Sequence, residues 1–239
     1  MQTDSVSGRP TTERVGSIFS SIAHCYDAFN VMASLGIDRG WRRKLVRTAR
    51  LTPDSRVLDL AAGTGDVAFA LANIGRPAEV VATDLNAEML AIAQQKALER
   101  PPAVPVSFSI ADAQKLPFED DSFDVVTVAF GVRNFPNREA NFREVLRVLR
   151  PGGRYVVLEF SRPPFAPLRG IYHAYLRYVI PMIGGALTGD RSGFVYLNVS
   201  IRQFPVQVEL AAEMRQAGFA TAGWENRCGG IVALHTAVK

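Results

Sequence analysis

Arg56-Val57-Leu58-Asp59-Leu60-Ala61-Ala62-Gly63-Thr64-Gly65-Asp66 (RVLDLAAGTGD) decides the fold. Arg56 to Leu60 reads as a buried strand, two glycines one residue apart end it, and from about Asp66 to Asn73 apolar residues return at helical spacing. A strand that runs through a glycine turn into a helix opens a βαβ unit. There the glycines let the backbone approach a ligand, and the helix N-terminus faces it.

The pattern continues outward from this stretch. Glu79 to Asp84 is the next strand, and a helix opens near Asn86 with Met89, Leu90, Ala93 and Ala97 inward. Strands at Val106 to Ile110 and Phe123 to Ala129 follow, then a helix from Arg138 to Leu149 whose Phe142, Val145, Leu146 and Leu149 share a face. Pro151-Gly152-Gly153 stops that helix before a strand at Arg154 to Phe160. Strands alternating with helices predict a mostly parallel sheet covered on both faces. Arg162 to Phe204, rich in Tyr, Pro and Gly, breaks the rhythm as an insertion. A helix from Gln207 to Ala217, ended by Gly218, leads to closing strands around Ala222 to Asn226 and Ile231 to Val238, seven strands altogether. Upstream, residues 1–12 read as a flexible tail; Val15, Ile18, Phe19, Ile22 and Tyr26 form one helix stripe, and Trp41, Leu45 and Ala49 another. The expected organisation is one α/β domain over 13–239. Its N-terminal helices (13–50) cover the site, and the insertion (162–204) serves as a lid.

Composition narrows the class. The 239 residues are 48% hydrophobic and 21% charged, enough apolar material for a large core, which excludes a disordered or disulfide-stapled chain. Cys25 and Cys228 are too few for a disulfide framework or a Cys-rich metal site, and the N-terminus lacks the basic and apolar regions of a signal peptide, so a cytoplasmic location is expected. The 27 Lys and Arg against 23 Asp and Glu give a net charge of +4, which permits an anionic surface as partner. The apolar run Tyr178 to Gly189 is too short to span a bilayer.

Gly63-Thr64-Gly65-Asp66-Val67-Ala68, with Asp84 21 residues after Gly63, fits a dinucleotide fingerprint and equally any adenosine ligand whose ribose is held by an acid. Three features favour S-adenosylmethionine (SAM) over NAD. Asp59 sits in the strand before the glycines, where a cation is welcome and a pyrophosphate is not. Asp112, in Ala111-Asp112-Ala113, is placed to accept the adenine amino hydrogens, or merely to close an Asx turn. Leu116-Pro117-Phe118, Asp121-Ser122-Phe123-Asp124 and Leu149-Arg150-Pro151-Gly152-Gly153 resemble the framework of class I SAM-dependent methyltransferases, with their Rossmann-like fold. The expected SAM contacts are Asp59, Ala61, Gly63, Thr64, Gly65, Asp84, Leu85, Asp112, Ala113 and Ala129.

A narrower resemblance rests on Tyr26-Asp27-Ala28-Phe29-Asn30, Ser34 and Trp41, on Arg147 to Gly153 with Leu158-Glu159-Phe160-Ser161, and on Phe130-Gly131-Val132-Arg133-Asn134. With Tyr196-Leu197, Phe204-Pro205 and Gly229 to His235, these make the chain similar, from Val15 to Lys239, to the menaquinone/ubiquinone biosynthesis C-methyltransferases. It departs from that pattern at Phe29 (commonly Met), Asp38 (His), Ala129 (often Ser) and Asn198 (often Pro), so no role needing an imidazole at position 38 carries over.

The resemblance implies methyl transfer from SAM to a ring carbon of a demethylated, isoprenoid-tailed quinol, with no metal and no nucleic acid. Such a reaction asks for alignment, for a cation or donor facing the developing phenolate, and for a base. Arg133 is the first candidate stabiliser, Asn134 orients the ring, and His24, Tyr26 and Asp38 are candidate bases, beside His173 and His235. Tyr172, Tyr175, Leu176, Tyr178, Val179, Ile180, Met182 and Ile183, rimmed by Arg162, Arg169, Arg177 and Arg191, suit a transient contact with the inner face of the membrane, a lid or a homodimer interface. Three rival readings stay open: a methyltransferase for another lipophilic phenol or secondary metabolite, a non-catalytic SAM-fold subunit of a quinone-synthesis complex, and an NAD oxidoreductase.

Overall fold

The computed structural model describes residues 16, 20, 23–188 and 192–239, without the Ser192 side chain. The expected flexible tail, the stripe Val15, Ile18, Phe19 and Ile22, and Arg191 lie outside the described residues. Two helices lead in, α1 (Tyr26–Ser34) and α2 (Asp38–Ala49). The alternating region follows as β1 (Arg56–Leu60), α3 (Asp66–Ala70), β2 (Glu79–Asp84), α4 (Ala87–Glu99), β3 (Val106–Ile110), β4 (Phe123–Ala129), α5 (Arg138–Val148) and β5 (Leu149–Phe160). Three helices, α6 (Ala166–Ala174), α7 (Ile180–Thr188) and α8 (Ser192–Gln203), precede α9 (Gln207–Ala217), β6 (Thr221–Arg227) and β7 (Val232–Val238).

The seven strands form one sheet in the order β3-β2-β1-β4-β5-β7-β6, parallel except for β7, which runs antiparallel to both its neighbours. Side chains alternate between the faces with the period of two that strands impose. Leu58, Leu60, Val126, Val128, Tyr155 and Val157 meet Phe142 and Val145 of α5 and Leu210 and Met214 of α9 on one face. Val57, Val125, Val156 and Leu158 meet Leu45 of α2 and Val67 of α3 on the other. Reversal from β1 outward to β2 on one side and β4 on the other puts a crevice at the carboxyl ends of these strands, where ligands of such sheets bind.

Several expected boundaries move. The helix after the glycine turn is α-helical only to Ala70, continues as a π turn over Leu71–Gly75 and ends on the left-handed residue Arg76. Leu149 belongs to β5 rather than to α5: it pairs with Phe123, and Arg150 to Gly153 then bulge out before Arg154 pairs with Val125. The insertion is not irregular but helical, with a π turn over Tyr175–Val179 joining α6 to α7. Its apolar residues were expected to serve a membrane contact, a lid or a dimer interface. Tyr172, Leu176 and Ile180 instead pack with Phe29 of α1 and Phe194 of α8 in a third core, because only facing helices can take up so many aromatic rings away from the sheet.

Candidate functional site

A cavity of about 460 Å³ lies at the carboxyl ends of β1, β2, β3 and β4. Ala61, Gly63, Asp84, Leu85, Asp112, Ala113 and Ala129 line it, and Gly16, Ser20 and Tyr26 of the N-terminal segment close it. Gly63 has φ +56°, and a Cβ on it would meet nothing within 4 Å, so its missing side chain leaves room for a ligand rather than for protein. Gly65 differs: a Cβ there would come within 2.8 Å of the Phe69 ring, so it serves the turn and its packing and does not line this cavity.

Asp84 accepts the Gly63 amide on one carboxylate oxygen and the Asn86 amide on the other, both at 2.8 Å. Burial pushes its pKa up against the pull of these amides. Asp112 lines the cavity and also closes the Asx turn, accepting the Gln114 amide at 2.8 Å. The Asx turn is therefore formed, and the turn leaves the residue on the cavity wall.

A recess of about 40 Å³ shares Tyr26, Ala61, Gly63, Ala129 and Phe130 with this cavity and reaches Asp59 and Thr64. Asp59 accepts the Thr127 hydroxyl at 2.7 Å on Oδ1, whereas its buried Oδ2 has no partner among the described residues. Burial pushes its pKa up to about 7, even with the Thr127 hydrogen bond favouring the charged form. A buried carboxylate oxygen without a donor suits an ammonium, and the chain fits the aminoacid end of SAM here.

A second cavity, of about 320 Å³, lies between the sheet and the helices α1, α2, α6 and α8. Trp41, Phe130 and Phe160 make an aromatic wall, with ring centres 6.1 and 4.5 Å apart in sequence. Tyr26 and Phe130 line both this chamber and the nucleotide-side cavity. Phe130 holds its place with φ +58°, and such left-handed backbone in a bulky residue costs on the order of 1–3 kcal/mol.

The polar groups of this apolar chamber are few and buried. Arg133 faces Glu159 at 2.8 Å and also donates to the Phe130 carbonyl, while its Nε has no partner among the described residues. Burial works against its charge, but Glu159, Tyr26 and Tyr196 together raise its pKa. Tyr172 Oη is likewise buried without a partner among the described residues, and burial raises its pKa. Tyr26 is also shifted upward by burial, so its phenol stays protonated at neutral pH. Asp38, 3% exposed, is the carboxylate of this wall and accepts from Ser34 at 2.9 Å and from Arg42 at 2.6 Å.

Other expected residues stand elsewhere. Asn134 lines the nucleotide-side cavity, and its Oδ1 accepts from Tyr196, whose ring lines the apolar one. His24 is exposed and lines neither. His235 is buried with Nε2 at 3.0 Å from the Gln207 carbonyl, and burial lowers its pKa to about 4. The sequence reading missed Glu159, Tyr172, Tyr196 and Thr127 as site residues. A Glu inside an apolar strand (Val156 to Phe160) was the one available signal, since a buried acid needs a cation.

A polar clasp fixes α1 over the glycine loop. Asp27 accepts the Thr64 hydroxyl at 2.6 Å and the Lys96 ammonium at 2.5 Å. Lys96 also donates to the Thr64 carbonyl at 3.1 Å and pairs with Asp66 at 3.2 Å, and Asp66 pairs with Arg42 at 3.1 Å. Thr64 thus meets the N-terminal helix through its side chain while lining the recess.

Comparison with known proteins matches this geometry to a family. The profile of the ubiE/COQ5 methyltransferase family covers residues 8–239. The ubiquinone/menaquinone biosynthesis C-methyltransferase UbiE of Ectopseudomonas mendocina is 44% identical over 228 residues, 95% of this chain and 89% of that protein. The UbiE of Proteus mirabilis is 41% identical over 226 residues, 94% and 90% of the two chains. Among solved structures, a SAM-dependent methyltransferase from Thermotoga maritima superposes with a TM-score of 0.66 at 19% identity, over 94% of this chain and 99% of that one. The [4+2]-cyclase SpnF does so at 0.64 and 18%, over 97% and 98%. At such identities the likeness concerns the fold alone.

Proposed function

The chain belongs to the ubiE/COQ5 methyltransferase family, and from that premise we propose how its two cavities divide the work of a SAM-dependent C-methyltransferase of the ubiquinone/menaquinone biosynthesis type. SAM takes the nucleotide-side cavity, with its ribose at Asp84, its adenine against Leu85 and Asp112, and its ammonium at Asp59 in the recess. When bound, it supplies a sulfonium methyl group. The demethylated isoprenoid quinol takes the apolar chamber, on the far side of Tyr26 and Phe130.

The observation that carries this reading is the pair of unpartnered buried atoms, Arg133 Nε and Tyr172 Oη, on residues that line an otherwise apolar chamber. A quinol oxygen meets both needs. The guanidinium, kept charged by Glu159, stabilises the phenolate left when the quinol hydroxyl gives its proton to solvent, a proton regained when the methylated product leaves. The phenolate makes the ring carbon nucleophilic, and the Tyr172 phenol donates a second hydrogen bond. As the ring carbon forms its bond to the methyl carbon, the sulfur–methyl bond breaks with its electron pair left on sulfur. The ring proton then leaves to Asp38, the carboxylate of the chamber, and aromaticity returns. Tyr26, protonated and common to both cavities, aligns the two reactants, and Asn134 holds Tyr196 against the ring from the other side.

The chamber fits the first isoprene units of a tail, and its mouth, where Leu35 and Ile171 are exposed, lets the rest emerge toward a membrane surface. No helix among the described residues is long and apolar enough to cross a membrane, so contact is by a surface. The N-terminal helices and the insertion act as covers of one unit. Incubation with demethylmenaquinol and deuterium-labelled SAM should place a labelled methyl on the ring, read by mass spectrometry. Tight SAM binding without label on any quinol overturns the reading, and Asp38→Asn should lower kcat with little change in KM for SAM.

A further inference from the structure

The helices that roof the chamber carry a second polar cluster, outside both cavities. Arg169 and His173 lie one turn apart on α6, Arg162 stands in the connection from β5, and Arg202 lies in the last turn of α8. Arg169 and His173, four residues apart, share a face of α6, and the charges of Arg202, Arg169 and Arg162 act after burial to lower the His173 pKa. Several surface arginines face carboxylates, as Arg138 faces Glu213, Arg147 faces Glu144 and Arg150 faces Asp124. Arg162, Arg169 and Arg202 have no such partner among the described residues. Two buried nitrogens of the cluster, Arg162 Nε and His173 Nε2, lack any hydrogen-bond partner there.

Neighbouring like charges with unmet donors repel one another, and an anion that several of them can reach relieves the repulsion. What surrounds the cluster narrows the anion. Phe165, at the start of α6, is 66% exposed and Ile171, between Arg169 and His173, is 70% exposed. Ile171 also lines the mouth of the apolar chamber, opposite Leu35, which is 85% exposed at the left-handed turn after α1. Cations interleaved with exposed apolar side chains match the boundary of a bilayer, with phosphate above hydrocarbon.

We propose that Arg162, Arg169, His173 and Arg202 bind the phosphate of an anionic phospholipid and so seat the mouth of the chamber on the membrane that holds the quinol tail; this rests on the quinol reading above. Cosedimentation of the full chain with vesicles of phosphatidylcholine, alone or mixed with phosphatidylglycerol, tests it. The wild type should bind the mixed vesicles only, and Arg169→Gln and Arg202→Gln should each weaken binding about fivefold, as a loss near 1 kcal/mol per cation implies. Arg169→Lys should keep most of it. Wild type that ignores the mixed vesicles, or a double variant that sediments with them as wild type does, overturns the proposal.

Inorganic phosphate separates the two sources of this chemistry. Weak binding that raises the His173 pKa in ring NMR spectra supports a phosphate site open to a lipid. Tight phosphate binding that leaves vesicle binding undisturbed assigns the cluster to a soluble ligand and overturns the lipid. Methyl transfer to a quinol without its tail should be unchanged in the double variant. Its absence from the wild type would sink the quinol reading and leave the vesicle result standing.

Discussion

The nucleotide-side cavity and the apolar chamber touch at Tyr26 and Phe130 yet are made by different means. The nucleotide-side cavity is a product of backbone: strand ends, two left-handed glycines and the amides that Asp84 draws in. The apolar chamber is a product of side chains, where α1, α2, α6 and α8 meet over the rim of the sheet. A backbone cavity tolerates almost no change at a few positions and nearly any change elsewhere. A packed one spreads its requirement over many residues and fails by degrees.

The first way to break the contrast is at the place where the chamber is least like a packed core. Glu159→Ala leaves the Arg133 charge buried and unpaired, and should cost about 3–5 kcal/mol in a thermal or urea melt. A loss under about 1 kcal/mol would mean that the guanidinium finds water. Next is Gly63→Ala, which puts a methyl into the ligand space and strains a φ of +56°. Calorimetric titration should show SAM affinity reduced at least tenfold, on the order of 1.4 kcal/mol, at a stability cost of about 1 kcal/mol. Gly152→Ala, with φ +78° and equally open space, should show the stability cost alone.

Gly184→Ala tests the other side of the contrast. Its Cβ would fall 2.1 Å from the Phe194 ring, in the core that roofs the chamber. Overpacking of this kind costs about 1–3 kcal/mol, and KM for quinol should rise while SAM affinity holds. The smallest effect sharpens the recess. Because burial raises Asp59 to about 7, the folded state holds that proton more tightly than the unfolded chain, and stability should fall as pH rises from about 4 to about 7. SAM affinity should move the other way, rising toward neutral pH as the carboxylate ionises to meet the ammonium. Asp59→Asn should flatten that rise.

The same difference explains what could be read in advance. Apolar runs marked most of the strands, and Gly or Pro marked the turns after β1 and α5, so β1 to β5 and the acids after β2 and β3, Asp84 and Asp112, were legible. The insertion was not. Its residues were visibly apolar, but which of them face one another depends on helix packing against α1, and Pro181 with Gly184-Gly185 reads locally as a break although α7 runs through all three. Tyr172, placed by the sequence with residues for a membrane contact, a lid or a dimer interface, is buried. Likewise His24 stood out as a histidine near a motif, while Asp38, a departure from the family pattern, is the residue the fold turns into the chamber.

Tyr26 sits on α1, and α1 is held down by the clasp of Asp27 with Thr64 and Lys96. A wall shared by two ligands makes their exchange one event rather than two. Under the proposed placement, spent nucleotide and finished quinol wait on the same door, and the slow step of a turnover to look for is the lifting of that helix, set by Asp27, Lys96 and Thr64, of which Thr64 also lines the recess.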